Sequence, residues 1–142
     1  GRFERFDNIY LDGAHNVDGI LALIQTLKDQ KLEDVVIVFS ALGDKDISEM
    51  LELLKDYPII QASFEDERLK SDALDFKDVL VQVEKKYKNI VVTGSLHFIS
   101  AVRKYLKNWE NDIKIRDFKI TTFIMSSVRN LFLYLFYSKK EL

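Results

Sequence analysis

The chain has 142 residues, of which 47% are hydrophobic and 31% charged, a balance that argues against disorder and suits one folded domain. A formal net charge of −2 argues against general nucleic-acid binding, which needs a basic face. The lack of cysteine excludes disulfides and thiolate metal sites and agrees with a reducing cytoplasm.

No signal peptide is read at Gly1-Arg2-Phe3-Glu4-Arg5-Phe6-Asp7, which has no apolar core region. Asn8-Ile9-Tyr10-Leu11-Asp12 is the first strand candidate, ended by the turn-forming Gly13. Ile20, Leu23, Ile24 and Leu27 then fall at helical spacing and make one apolar stripe. Val35-Val36-Ile37-Val38-Phe39 is an unbroken apolar, mostly β-branched run, the signature of a strand covered on both faces of a parallel sheet. Ile47, Met50, Leu51 and Leu54 predict a second helix, with Asp46 as its cap and Glu49 completing a capping box.

Pro58-Ile59-Ile60-Gln61-Ala62 predicts a strand near an edge, because proline cannot donate to a ladder. Phe76, Val79, Leu80, Val83 and Tyr87 mark a third helix. Asn89-Ile90-Val91-Val92-Thr93 is the last buried strand, turned by Gly94-Ser95 into a helix carrying Phe98, Ile99, Val102 and Leu106. Four β-α units with right-handed crossovers predict an α/β fold, a three-layer sandwich on a mostly parallel Rossmann-like sheet.

The end of the chain differs in character. From Phe118 onward it is rich in aromatics, and no acidic residue appears before Glu141. Arg129 interrupts the apolar stretch, leaving it too short for a spanning helix of about 20 residues. An amphipathic or core-docking helix is expected here, with a membrane-surface contact as the lesser alternative. The domain is drawn at residues 1–107 and the extension at residues 108–142.

Ligands of open α/β sheets gather at the carboxyl ends of the strands. Asp12-Gly13-Ala14-His15-Asn16 puts a carboxylate, an imidazole and a carboxamide into one such loop, at a helix start that favours anions. Asp12 suits ribose hydroxyls, and His15 suits a phosphate or carboxylate. The same residues also read as turn, cap and surface histidine. Thr93-Gly94-Ser95 offers hydroxyls to a carboxylate, or simply an N-cap at Ser95. Lys45, in Gly43-Asp44-Lys45-Asp46, reads either as an anion contact or as part of a solvated turn.

These segments, in this order, resemble landmarks of a known family. Gly1-Arg2-Phe3-Glu4 followed by Leu11-Asp12-Gly13-Ala14-His15-Asn16, then Ala41-Leu42-Gly43-Asp44-Lys45-Asp46, then Val92-Thr93-Gly94-Ser95-Leu96-His97-Phe98-Ile99 are similar to the C-terminal domain of folylpolyglutamate and dihydrofolate synthases, relatives of the Mur ligases. The chain departs from the family pattern at Val17, where proline is usual, and at His97, where tyrosine is usual. His97 is therefore given no catalytic role. Residues 112–142 have no family counterpart and read as an extension or a changed reading frame.

The resemblance implies an ATP-dependent amide ligase that adds glutamate to folate. ATP activates a carboxylate as an acyl phosphate, and the glutamate amine attacks it. It further implies that Arg2, Asp12 and Asn16 contact the nucleotide. His15 is the catalytic candidate and, with Ser95, binds the incoming glutamate. ATP and Mg2+ are the implied cofactors.

The magnesium ligands are expected in an N-terminal P-loop ATPase domain of the same enzyme, and no metal ligand is assigned in this chain. A phosphate-binding loop needs Gly-x-x-x-x-Gly-Lys-Ser/Thr, and glycines 1, 13, 19, 43 and 94 never give that spacing. The chain is thus expected to be the C-terminal part of the ligase, cut at a domain boundary and inactive alone. A stand-alone non-catalytic module of the same fold, and a Mur-type peptide ligase domain, are the rival expectations.

Overall fold

The computed structural model describes residues 3–43, 46–69 and 71–140. Five strands form one sheet: β1 Glu4–Phe6, β2 Ile9–Leu11, β3 Val35–Phe39, β4 Ile59–Gln61 and β5 Asn89–Thr93. Their spatial order is β1-β2-β5-β3-β4. β2, β5, β3 and β4 run parallel, while β1 pairs antiparallel with β2 through a two-residue turn at Asp7-Asn8. Asp7 takes a φ of 55° there, a left-handed conformation that short polar side chains tolerate.

The β-branched runs occupy the middle of the sheet, as their hydropathy requires. All of Val35–Phe39 is buried, as is Ile90–Thr93. β4 lies at the edge, where the proline beside it costs no ladder bond; Pro58 instead accepts, its carbonyl taking the Ile37 N–H. The hairpin strand β1 was not among the expected elements. Its Phe3 ring stacks on Tyr10 at 5.0 Å, and Glu4 accepts a 2.6 Å bond from the Arg103 Nε.

Helices α1 Val17–Asp29, α2 Ser48–Leu53, α3 Phe76–Glu84 and α4 Leu96–Lys140 follow β2, β3, β4 and β5. α1 lays Ile20, Leu23 and Leu27 on a core shared with Met50 and Leu54 and with Tyr10, Val35, Ile37, Phe39 and Val91 of the sheet. Alternate strand residues point to opposite faces, so Leu11, Val36, Val38, Ile90 and Val92 face the other side. There Phe98 of α4 packs against Phe64 and Phe76. Three layers result: α1 and α2, the sheet, then α3 with the start of α4. Each fully buried Leu, Ile or Phe contributes about 2 kcal/mol of burial.

Local chemistry sets the helix starts. Asn16 caps α1 by accepting from the Gly19 N–H at 2.8 Å, and Asp75 caps α3 by accepting from Lys77 N–H. The expected capping box at α2 does not form as such. Asp46 accepts from the backbone N–H and hydroxyl of Ser48, one residue short of Glu49, because Ile47 occupies the cap position. Lys45 lies outside the described residues.

The described residues fall into two compact units, divided between Lys104 and Tyr105. α4 runs without interruption for 45 residues. Within the second unit, large apolar side chains are exposed, Phe123 at 72% and Phe132 at 67%. Leu131, Phe132, Leu133, Tyr134, Leu135 and Phe136 are all exposed. At about 100° per residue, successive positions surround a helix, so these side chains do not form a single stripe. Among the described residues no helix is long and apolar enough to cross a membrane.

Candidate functional site

The sheet continues beyond its strands at the carboxyl edge and thereby brings four loops together. Asp12 N–H donates to the Val92 carbonyl at 3.0 Å, Ser40 N–H to Thr93 at 3.1 Å, and Ala62 N–H to Phe39 at 2.9 Å. The Ala14 carbonyl receives both the Gly94 N–H at 3.0 Å and the Thr93 hydroxyl at 3.3 Å. The segments Asp12–Asn16 and Thr93–Ser95, 79 residues apart at their contact, are therefore bonded side by side.

Gly94 makes this approach possible. Its φ is +116°, and a Cβ there would stand 2.5 Å from the Ser40 carbonyl oxygen. No other residue type fits without moving backbone.

A cleft of about 270 Å³ opens on this edge, lined by His15, Leu42, Gly94, Ser95, Leu96 and His97. His15 is exposed, and its Nδ1 lies 2.8 Å from the Gly13 carbonyl. A carbonyl can only accept, so Nδ1 carries the proton and Nε2 stays outside this bond. Neutral, that nitrogen accepts a hydrogen bond; protonated, it donates one. The Ser95 hydroxyl is buried and accepts a long 3.4 Å bond from the Phe98 N–H, as an N-cap does. Imidazole, hydroxyl and the α4 N-terminus make a donor set that fits a phosphate or carboxylate.

The structure thus gathers His15 and Ser95 in one cleft, together with His97. Asp12 does not share the exposure of His15. It is only 6% exposed, and its Oδ1 turns back to accept from the Ala14 N–H at 2.9 Å. Burial raises its carboxyl pKa, against the lowering effect of that backbone bond. Asn16 is engaged in capping α1. Arg2 lies outside the described residues. Among the described residues no group of three His, Cys, Asp or Glu could hold a metal ion.

A neighbouring cavity of about 300 Å³ at the ends of β3 and β4 was not anticipated from sequence. Ser40, Gly43, Gln61, Arg68 and Ser71 are among its lining residues. Arg68 forms a two-pronged pair with Asp66, at 2.9 Å and 2.8 Å. Those side-chain bonds, and then the Arg68 backbone N–H, hold the Asp66 carboxyl down at about 2. Ser40 stands at a strand's carboxyl tip, where ligands gather; that position was the signal available.

The fold and this edge define a class, the three-layer α/β domain whose loops meet a ligand at the carboxyl ends of a parallel sheet. The sequence model of the family described as "Mur ligase, glutamate ligase domain" matches residues 1–115, and the chain belongs to that family. It is 38% identical over 119 residues to a dihydrofolate synthase/folylpolyglutamate synthase of Bacillus subtilis (strain 168), covering 70% of this chain and 28% of that protein.

Among solved structures, it resembles a Mycobacterium tuberculosis folylpolyglutamate synthase complexed with ADP and AMPPCP. That match has 25% identity and a TM-score of 0.60, over 69% of this chain and 29% of the other. An FPGS–AMPPCP–folate complex matches at 32% identity and a TM-score of 0.57, over 71% of this chain and 25% of the other. The chain therefore spans 28% of the length of the curated Bacillus relative.

Proposed function

We propose that this chain is the C-terminal part of an ATP-dependent amide ligase, working in the cytoplasm, that joins glutamate to folate. The observation that carries the reading is the cleft where His15 and Ser95 meet at the carboxyl edge, within a domain of the glutamate ligase family. ATP, when bound, supplies the phosphoryl group that activates a carboxylate. Arg2, Asp12 and Asn16 are assigned to the nucleotide and the loop that meets it. His15 is the catalytic residue, and with Ser95 it receives the incoming glutamate.

Support for His15 comes from its tethered Nδ1, which fixes the ring and leaves Nε2 for a reactant. The Asp12 bond to Ala14 keeps the loop that carries His15 in one shape. Magnesium is assigned to the N-terminal P-loop ATPase domain. Residues 1–107 are assigned as the working domain and residues 108–142 as an extension, near the division between the two compact units at Lys104 and Tyr105.

The test is a chimera in which residues 1–115 replace the matching part of the Bacillus relative, assayed for ATP-dependent addition of glutamate to folate. Activity is expected in the chimera and none in the chain alone. Asp12→Ala and His15→Ala are each expected to lower the rate by about 100-fold, the scale of positioned acid–base and charge-stabilising groups. A silent but folded chimera refutes the function, and undiminished rates in both variants refute the site.

A further inference from the structure

We propose that the part of α4 from residue 119 to residue 135 is a membrane-surface helix. It lies along an anionic lipid bilayer, with its apolar arc in the boundary between headgroups and acyl chains. The proposal concerns the second compact unit by itself and does not depend on the ligase reading.

The first observation is apolar surface left in water. Ile120, Phe123, Val128, Leu131, Phe132 and Leu135 are each more than half exposed, and contiguous apolar surface of this kind marks an interaction site. At 100° per residue these six lie within an arc of about 180°, broken only by the small hydroxyl side chains of Thr121 and Ser127. The polar side chains Arg129, Thr122, Ser126, Lys119 and Asn130 collect on an opposing arc of about 100°. Leu133 is the one large apolar residue on that side, and at 41% it is the least exposed of the segment.

The second observation is charge. From Phe118 to Lys140 the sequence holds Lys119, Arg129, Lys139 and Lys140 and no acidic residue. The chain's net charge is −2, so with these four cations set apart the remainder carries −6. An anionic bilayer therefore repels the rest of the chain and attracts this segment. Each cation held near such a surface strengthens binding about fivefold.

Together the two observations select the occupant. Among the described residues no helix is long and apolar enough to cross a membrane. A cationic helix with an aromatic apolar face instead lies in the plane of the interface. A coiled-coil partner would cover a narrower seam, and pairing two copies of this segment would bring cations together with no acidic residue to offset them. In the first unit, the exposed large hydrophobics among the described residues are Leu21, Leu74, Val81 and Leu96. They stand on separate stretches of chain, so a second copy offers the helix little apolar cover.

The experiment is flotation of the full chain with two kinds of vesicle, phosphatidylcholine alone and phosphatidylcholine with about one-quarter phosphatidylserine. The chain is expected to float with the anionic vesicles and to bind the neutral ones at least tenfold more weakly, with added salt narrowing the gap. Phe123→Gln/Phe132→Gln is expected to weaken binding to anionic vesicles at least tenfold, the scale of withdrawing two aromatic side chains from an apolar phase. Lys119→Glu/Arg129→Glu is expected to remove most of the preference for anionic vesicles.

Glutamine and glutamate are good helix formers, and circular dichroism checks that each variant keeps its helix. Failure to float, equal binding to both kinds of vesicle, or unchanged binding in either variant overturns the proposal. So does a dimer in sedimentation equilibrium that the phenylalanine variant abolishes while the vesicles bind nothing, a result that gives this face to a second copy.

Discussion

Replacing Gly94 by alanine tests whether the carboxyl edge is as closely built as the structure shows. Two costs add. A φ of +116° is a region that residues with a Cβ seldom occupy, and forcing one there costs about 1–3 kcal/mol. The new Cβ also lies 2.5 Å from the Ser40 carbonyl oxygen and 3.0 Å from the Phe39 ring. Ser40 is backbone-bonded to Thr93, so it can withdraw only by breaking the ladder.

A total near 3 kcal/mol is expected, and in a domain of about 100 residues that lowers the melting temperature by roughly 12 °C. Urea and thermal unfolding of the two proteins measure it. Gly13→Ala is the control, because its Cβ would meet only the flexible end of Leu96, at 2.7 Å. Its smaller cost should disappear in the Gly13→Ala/Leu96→Ala pair when compared with Leu96→Ala alone. A Gly94→Ala protein within 0.5 kcal/mol of the parent, well below the roughly 1–3 kcal/mol strain scale, refutes the reasoning.

Asp12 gives a pH signature. Burial raises its folded-state pKa above the 3.8 reference, so its protonated form favours folding. That contribution is complete below 3.8 and is lost as pH rises through the folded value. Asp12→Asn keeps an acceptor for Ala14 N–H, so it should gain stability relative to the parent as pH climbs from 4 to 7 in urea titrations. The reverse trend would contradict the burial argument. Glu4→Gln, which weakens the pair with Arg103, should cost under about 1 kcal/mol, since both side chains are about one-third exposed; denaturant midpoints report it. Truncation after Asn111 should leave the melting temperature within about 2 °C, because the large apolar side chains beyond it are mostly exposed and so bury little. Scanning calorimetry decides this.

The central strands were legible because a β-branched run has little alternative to a doubly covered strand. Val35–Phe39 and Asn89–Thr93 fall where their composition puts them. The edge position of β4 was readable from Pro58. β1 was not, since Glu4-Arg5-Phe6 has no apolar run and owes its strand to pairing with β2. The unbroken length of α4 has a signal in the sequence: no glycine or proline follows Gly94, so no helix-breaking residue interrupts it.

Within the candidate site, loop chemistry exposed Asp12, His15 and Ser95, but it could not show that Asp12 folds back on Ala14. That contact follows from how the turn closes, which spacing does not encode. Ser40 was invisible for the same reason. Between Phe39 and Ala41 it reads as an ordinary strand end, and its place in a cavity wall arises from neighbours brought in by the sheet.

The Ala14 carbonyl has two lone pairs, and the Gly94 amide and the Thr93 hydroxyl use both. One oxygen atom thus works as a rivet between stretches of chain made far apart in synthesis. The imidazole-bearing and serine-bearing halves of the cleft are thereby tied to one another through a single backbone oxygen.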